Sequence, residues 1–196
     1  MKFKMSPRAA LVIIAAIFVL PLAVAFLMYR GAIEYNPVET RNLGTLVQPP
    51  VPVDLDALAP LGGTAANSEA LNKHWVVMHQ VPKTCGDSCR ETVTSLRQVH
   101  RSTGRNQSRI RMVLVSENPD PQQAGELQSI YPVFQVVQLN PALSANLQTI
   151  PGSTEGSTYL IDPLGNIMMS YAAGADPNDL KKDLKRLLTW SKLDEI

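Results

Sequence analysis

Two cysteines are the residues of this sequence with the clearest capacity for chemistry. Cys85 and Cys89 stand four positions apart, and the 196-residue chain contains no other cysteine. A close, solitary pair is more typical of a redox or metal site than of a secreted scaffold held by many disulfides. Four residues make about one helical turn, so both sulfurs are expected on one side of a helix. They are candidate catalytic residues that exchange thiols, candidate ligands of a soft ion such as Cu(I), or a structural disulfide.

Charged and ligating side chains near the pair are secondary candidates. Asp87 is expected to cap the helix or to tune the acidity of the thiols. Lys83 and Arg90 lower the pKa of a neighbouring thiol if they lie close to it, and are otherwise solvated surface charges. His79, six residues before Cys85, is a candidate third metal ligand, with a packing or surface role as the alternative.

Other residues of ligating type are not expected at the site. His100 shares a helix face with Cys89 but lies about 16 Å further along the axis, so it is predicted to be a surface group. His74 precedes the first core strand and receives the same interpretation. Met168 and Met169 alternate on a strand, so one should lie in the core and one should point outward, which argues against a methionine copper site.

The surrounding sequence predicts the elements that hold the cysteines. Apolar runs predict strands at 75–79, 110–115 and 133–139, and helical spacing predicts a helix over 88–102. A capping side chain before a proline favours a helix start, which predicts three later helices at Asp120-Pro121, Asn140-Pro141 and Asp176-Pro177. Strong turn residues at 162–166 predict a hairpin between 159–161 and 167–169.

This order of elements predicts an α/β fold. It alternates as β-α-β-α-β-α-β-β-α, which indicates a thioredoxin-like mixed central sheet flanked by helices. The cysteines fall between the first core strand and its helix. A helix N-terminus favours thiolate there, because its dipole and its free N–H groups stabilise negative charge.

The N-terminal part predicts attachment to a membrane. Residues 9–29 are uncharged and long enough to cross the hydrocarbon layer. Because three cations precede this run and one follows it, residues 1–8 are expected in the cytoplasm and the rest beyond the membrane. A signal peptide cleaved near Ala25 is the alternative. Residues 30–70 read as a linker with a possible hairpin over 43–58, and residues 71–196 as the thioredoxin-like domain.

Composition excludes several classes of function. The net charge of +1 gives no basic signal for nucleic acid. The sequence also has no hydrolase triad signature, phosphate-binding loop, dinucleotide-binding loop or zinc-type cluster.

Two segments resemble the Sco/SenC copper chaperones of cytochrome c oxidase assembly. Their motif is Thr-x-Cys-Pro-Asp-x-Cys-Pro, which Cys85, Asp87 and Cys89 match, and 159–165 is similar to the family's Tyr-Leu-Ile-Asp-Pro-x-Gly. Gly86 and Arg90 stand where the family has proline. The sequence lacks the family's third copper ligand, a histidine, because the corresponding position is occupied by a threonine, Thr154.

The resemblance implies a function in oxidase assembly. The implied partner is a cytochrome c oxidase subunit, whose copper-site cysteines would be reduced or supplied with Cu(I) through Cys85 and Cys89. The implied location is the bacterial cytoplasmic membrane, with the domain on the periplasmic or outer face. The alternatives are a general extracytoplasmic thiol–disulfide oxidoreductase, which would be an enzyme, and a non-catalytic interaction module with a structural disulfide.

Overall fold

The computed structural model describes residues 6–30, 41–58, 71–118 and 120–191. The chain divides into two compact units, Met1–Arg41 and Asn42–Ile196. The second unit includes strand β1, which pairs within the sheet, so it begins earlier than the predicted domain start at residue 71.

The first unit contains one apolar helix, α1 (Pro7–Tyr29). The side chain of Ser6 caps it by accepting a hydrogen bond from the Ala9 amide at 3.2 Å, and a proline occupies the first helical position. Residues Pro7–Met28 have a mean hydropathy of 3.0, and the described part of the chain buries none of this segment. The helix is therefore a candidate membrane span, as predicted for 9–29.

The second unit is a six-stranded sheet with helices on it. Its strands are β1 (Thr45–Pro52), β2 (Trp75–Gln80), β3 (Ile110–Ser116), β4 (Phe134–Gln138), β5 (Thr158–Ile161) and β6 (Asn166–Tyr171). Its helices are α2 (Asp87–Ser102), α3 (Pro121–Ile130), α4 (Pro141–Gln148) and α5 (Pro177–Trp190), with a 3-10 helix at Gly104–Arg109.

The sheet is mixed, as the sequence predicts. Its strand order is β1-β6-β5-β2-β3-β4. β2, β3 and β4 run parallel, whereas β5 and β6 form the predicted antiparallel hairpin, and β5 also pairs with β2. β2 is therefore a central strand, with β3 on one side and β5 on the other. The loop that carries Cys85 therefore lies at the carboxyl end of a central strand.

Two apolar cores lie on the two faces of the sheet. One packs α2, α3 and α5 against the sheet and includes Cys89, Val93, Leu96, Leu127, Leu180 and Leu184. The other packs α4 and the segment after β1 against the opposite face, and includes Leu55, Leu58, Leu71, Leu143 and Leu147. Cys89 thus belongs to the core under α2, and its position is fixed by the packing of that helix.

The predicted hairpin over 43–58 is a single strand in the structure. β1 pairs antiparallel with β6, with Leu46 opposite Met169 and Val51 opposite Ile167. Its register shifts between Leu46 and Val51, where the strand contains two prolines. Proline lacks the N–H that a ladder requires, so this strand tolerates it at the edge of the sheet. Residues 59–70 of the predicted linker lie outside the described residues.

A buried carboxylate fixes the segment that enters β1. Asp183 of α5 is 2% exposed and accepts hydrogen bonds from the amides of Leu43 and Gly44, at 2.8 and 2.9 Å. It also accepts one from the Tyr171 hydroxyl at 3.1 Å. Burial, with the neighbouring carboxylates, raises the pKa of Tyr171 far above its usual value. A Cβ at Gly44 would lie 2.6 Å from the Tyr171 ring, so the close approach requires glycine.

Local sequence signals for helices and turns are confirmed. Asp120, Asn140 and Asp176 each cap a helix that has proline at its start. In the β5–β6 turn, Asp162 accepts hydrogen bonds from the Leu164 and Asn166 amides, both at 2.9 Å. These hydrogen bonds join residues that are close together in the sequence, which is why the sequence alone predicts them.

Candidate functional site

Cys85 and Cys89 form a disulfide at the N-terminus of α2. Their Cα atoms lie 5.2 Å apart, and the two sulfurs are bonded to each other. Cys85 lies in the loop before the helix and is half-buried, whereas Cys89, one turn inside the helix, is 6% exposed. The structure therefore brings the two predicted site residues together and gives them unequal access to solvent. An incoming sulfur can reach Cys85 more easily than Cys89.

The loop that carries Cys85 is held by backbone hydrogen bonds. The Val81 amide donates to the Val115 carbonyl at 2.8 Å, which continues the β2–β3 pairing past the end of β2. The Gly86 amide donates to the Thr84 carbonyl at 3.2 Å, and the Arg90 amide to the Gly86 carbonyl at 3.1 Å. The second of these bonds turns the chain and the third starts α2, so Cys85 lies immediately before the helix.

The prediction that Asp87 caps α2 is wrong. The cap is Gly86, which makes no side-chain capping bond, and Asp87 is the first helical residue. Its carboxylate still lies in the first turn, where negative charge stabilises the helix. No side chain of the described residues caps the start of α2. The first backbone amides of this helix can therefore stabilise negative charge near Cys85.

The two cations flanking the cysteines are both exposed, and Arg90 has a partner. The Arg90 guanidinium binds the Glu126 carboxylate of α3 at 2.9 Å, with side chains 56% and 49% exposed. An ion pair this exposed contributes little to stability. Because the positive charge of Arg90 is shared with Glu126, its influence on the thiols is smaller than its sequence position suggests. Lys83 lies in the loop before Cys85 and is exposed.

His79 is buried under α2. It is 1% exposed, and its Nδ1 is hydrogen-bonded to the Thr158 hydroxyl at 2.9 Å. Alternation along β2 places its side chain on the same face as Trp75 and Val77, which belong to the core under α2. Burial lowers the pKa of His79 to about 4, although a hydrogen bond with the Ser157 backbone opposes this shift. His79 is therefore neutral at pH 7.

The burial of His79 predicts a loss of stability in acid. In the unfolded chain its pKa is 6.5, so below that pH the unfolded state takes up a proton that the folded state excludes. The free energy of unfolding should therefore be highest above pH 6.5 and fall by about 3 kcal/mol as the pH decreases to about 4.

Denaturant unfolding at about pH 7.5 and about pH 4.5 measures this loss. His79→Asn should show a clearly smaller difference between the two pH values than the natural protein. An equal difference in both proteins would show that His79 does not carry the effect.

His100 is buried, contrary to the prediction of a surface position. It is 3% exposed, with Nδ1 bonded to the Tyr131 hydroxyl at 2.9 Å and Nε2 to the Gln107 carbonyl at 3.2 Å. Burial lowers its pKa below the usual value. It joins α2 to the segments after the helix and after α3, and so has a structural role.

After reduction, the cysteine pair would offer a metal ion two donors of the soft type. Among the described residues, no group of three or more His, Cys, Asp or Glu side chains is arranged to hold a metal ion. Once the disulfide is reduced, Cys85 and Cys89 supply two soft thiolates, which suit Cu(I). Cu(II) prefers further nitrogen or oxygen ligands, and one ring nitrogen of the candidate ligand His79 already binds Thr158.

The predicted alternation of the methionines is wrong, because both side chains pack against the same core. Met169 is 2% exposed and belongs to the core under α2, and half-buried Met168 packs against that same core. The register between β5 and β6 shifts at this point, with Leu160 opposite Met169 and Ile161 opposite Ile167. Met168 is thus the extra residue of a bulge.

Solved structures with a similar fold include Sco/SenC proteins. Apo Sco1 from Thermus thermophilus matches with a TM-score of 0.56 at 18% identity, over 78% of this chain and 99% of that one. Copper-bound ScoI from Bradyrhizobium japonicum matches with 0.50 at 18% identity, over 73% and 98%. BsSco, described with a disulfide switch and as a member of the Sco family of cytochrome c oxidase assembly proteins, matches with 0.50 at 16%, over 78% and 99%. At these identities the likeness establishes the fold.

Sequence comparison assigns the family directly. No curated protein matches the chain by sequence. A family model, described as a transmembrane-like, thioredoxin-like C-terminal domain, matches residues 75–191. This range runs from the start of β2 past the end of α5 and includes both cysteines. The chain belongs to this family of transmembrane-like, thioredoxin-like C-terminal domains.

Proposed function

We propose that this protein assists cytochrome c oxidase assembly as a membrane-anchored thiol–disulfide exchange protein. Its substrate is the pair of copper-site cysteines in an oxidase subunit, which it reduces or supplies with Cu(I). The observation that carries the proposal is the disulfide between half-buried Cys85 and buried Cys89 at the start of α2. The disulfide switch and the assembly role described for BsSco, which shares the fold, support it.

The exchange proceeds in two steps that balance. The Cys85 thiolate attacks one sulfur of the partner's disulfide, and the other partner sulfur leaves as a thiolate. The Cys89 thiolate then attacks the Cys85 sulfur and displaces the partner's second thiolate. Two electrons pass to the partner, and the domain ends with the Cys85–Cys89 disulfide seen in the structure. A dithiol donor outside the cytoplasm returns the pair to the reduced state by the reverse exchange.

Copper transfer is the second form of the same function. Reduced Cys85 and Cys89 hold Cu(I) as cargo between two thiolates, and the partner's copper-site cysteines receive it. The copper-bound ScoI structure, which shares the fold, is the observation that favours this form.

The location follows from α1 and the charges around it. Lys2, Lys4 and Arg8 precede the apolar run and Arg30 follows it, so the N-terminus stays in the cytoplasm. The thioredoxin-like domain then lies on the outer, periplasmic face of the bacterial cytoplasmic membrane. Disulfides form and persist in that compartment, which agrees with the oxidised pair.

Oxidase activity in cells tests the function. Deleting the gene should lower cytochrome c oxidase activity, and the natural gene should restore it, whereas a Cys85→Ser/Cys89→Ser double variant should not. A membrane-permeant thiol should rescue the deletion if the protein is a reductant, and added copper salts should rescue it if the protein carries Cu(I).

A deletion strain with normal oxidase activity and a general defect in exported disulfide proteins would support the oxidoreductase alternative instead. Full activity restored by the double variant would show that the disulfide is structural and that the domain is an interaction module.

A further inference from the structure

A groove between α2 and α3 opens beside Cys85. Residues of both helices and Cys85 itself line a space of about 430 Å³. Apart from Cys85, the lining residues are Arg90, Thr94, Gln123, Glu126, Leu127, Ser129 and Ile130. The volume of the groove lies in the range that is usual for binding clefts in proteins, and it can hold one or two side chains of an extended peptide.

The groove has an apolar floor and a polar rim. Leu127 is 3% exposed, and Ile130 is partly buried against the core under α2. Ser129 is exposed, and the Arg90–Glu126 ion pair joins the two helices across the opening. By contrast, the neighbouring surface of α2 toward Gln98 is lined by polar residues. An apolar side chain therefore finds a complementary surface in the groove and not on that neighbouring face.

The reactive sulfur determines which occupant fits. In exchange, a partner's sulfur must come within bonding distance of the Cys85 sulfur, so the residues on either side of the partner's cysteine must lie against the surface around Cys85. Cys89 is too buried to receive that sulfur directly. The ion pair also offers one cation and one anion to polar groups of the same segment.

We propose that this groove is the docking site for the cysteine-containing segment of the partner protein. The segment binds in an extended conformation, with an apolar side chain next to its cysteine placed over Leu127 and Ile130. This inference rests on the proposed exchange function and adds the surface that selects the substrate. It assigns the residues of α3 to recognition, while Cys85 and Cys89 carry the chemistry.

Filling the groove tests this inference in the full chain, reduced and held in detergent micelles. The two probes are a disulfide-closed synthetic peptide with leucine next to a cysteine, and 2-hydroxyethyl disulfide, which is too small to need the groove. Ser129→Trp should lower the ratio of the peptide rate to the small-disulfide rate by at least about tenfold. Gln123→Trp, about 9 Å away along α3, should lower it similarly. Gln98→Trp, on the neighbouring face, is the matched control and should leave both rates unchanged.

The outcomes separate the groove from the exchange function. Ratios within about twofold of the natural protein for both groove variants would overturn the docking site and leave exchange intact. An equal slowing by Gln98→Trp would also overturn it, since the effect would not belong to the groove. If the natural protein reacts with neither probe, the exchange function fails and the docking site fails with it.

Discussion

Replacing Cys85 with serine should abolish reaction of the reduced protein with an oxidised copper-site peptide. Cys89→Ser should instead trap a mixed disulfide between Cys85 and the peptide. The reason is access: Cys85 is half-buried in the loop, whereas Cys89 is 6% exposed in the core under α2. Cys85 also lies nearer the helix N-terminus, and the influence of the dipole falls off within the first turn. Intact-mass spectrometry after quenching with acid measures both results.

The two variants control for each other, because each removes the disulfide. Both should fold, since a disulfide that closes a five-residue loop constrains the unfolded chain little. Trapping by Cys85→Ser rather than by Cys89→Ser would reverse the assigned roles. Loss of folding in both variants, without any trapped adduct, would mark the pair as structural.

Asp183→Ala should destabilise the domain by about 3–5 kcal/mol. It removes the acceptor of three buried hydrogen bonds, from the amides of Leu43 and Gly44 and from the Tyr171 hydroxyl, and of a longer one from the half-exposed Arg186 guanidinium at 3.4 Å. Each buried donor left without a partner costs about 1–3 kcal/mol. Denaturant unfolding followed by fluorescence measures the change, because Trp75 is 1% exposed in the folded state and becomes exposed on unfolding.

Asp179→Ala is the matched control on the same helix. Asp179 makes an ion pair with Lys182 at 3.4 Å near the surface, and its removal should cost less than about 1 kcal/mol. Asp183→Asn retains one oxygen acceptor and should fall between the two. Equal effects of the two alanine variants would show that the buried carboxylate does not hold the entry to β1.

The parts of the fold that the sequence predicts correctly are formed by local interactions. The caps at Asp120, Asn140 and Asp176 bond amides two or three residues away. The turn at Asp162 likewise closes within four residues. The parallel arrangement of β2, β3 and β4 then follows from the alternation of strands and helices, because crossover connections between parallel strands are constrained.

The errors concern contacts between residues far apart in the chain. β1 pairs with β6, more than a hundred residues later, and its prolines hide the alternation that would mark a strand. His100 is buried because Tyr131 and Gln107 close over it. Helical periodicity identifies the face of α2 that packs inward, but His100 follows Val99 at the edge of that face, where neighbouring elements decide burial.

The same distinction between local and distant contacts applies to the candidate site. The placement of Cys85 and Cys89 at a helix start follows from the strand before them and the helix after them. The partner of His79, Thr158, is 79 residues away, so only the β2–β5 pairing reveals that bond. The cap at Gly86 instead of Asp87 is a shift of one residue, which sequence patterns rarely resolve. The groove beside Cys85 could not be predicted from the sequence either, because it forms only when α3 packs beside α2.

Electron transfer by the natural protein is the most direct test of the central claim, that Cys85 and Cys89 form a redox-active exchange pair. The reduced full chain, mixed in detergent with a disulfide-closed copper-site peptide, should produce reduced peptide and the Cys85–Cys89 disulfide in equal amounts. Mass spectrometry with thiol alkylation measures both products. Unreacted peptide beside a pair that stays reduced, or a pair that no dithiol reduces in the folded protein, would contradict the account.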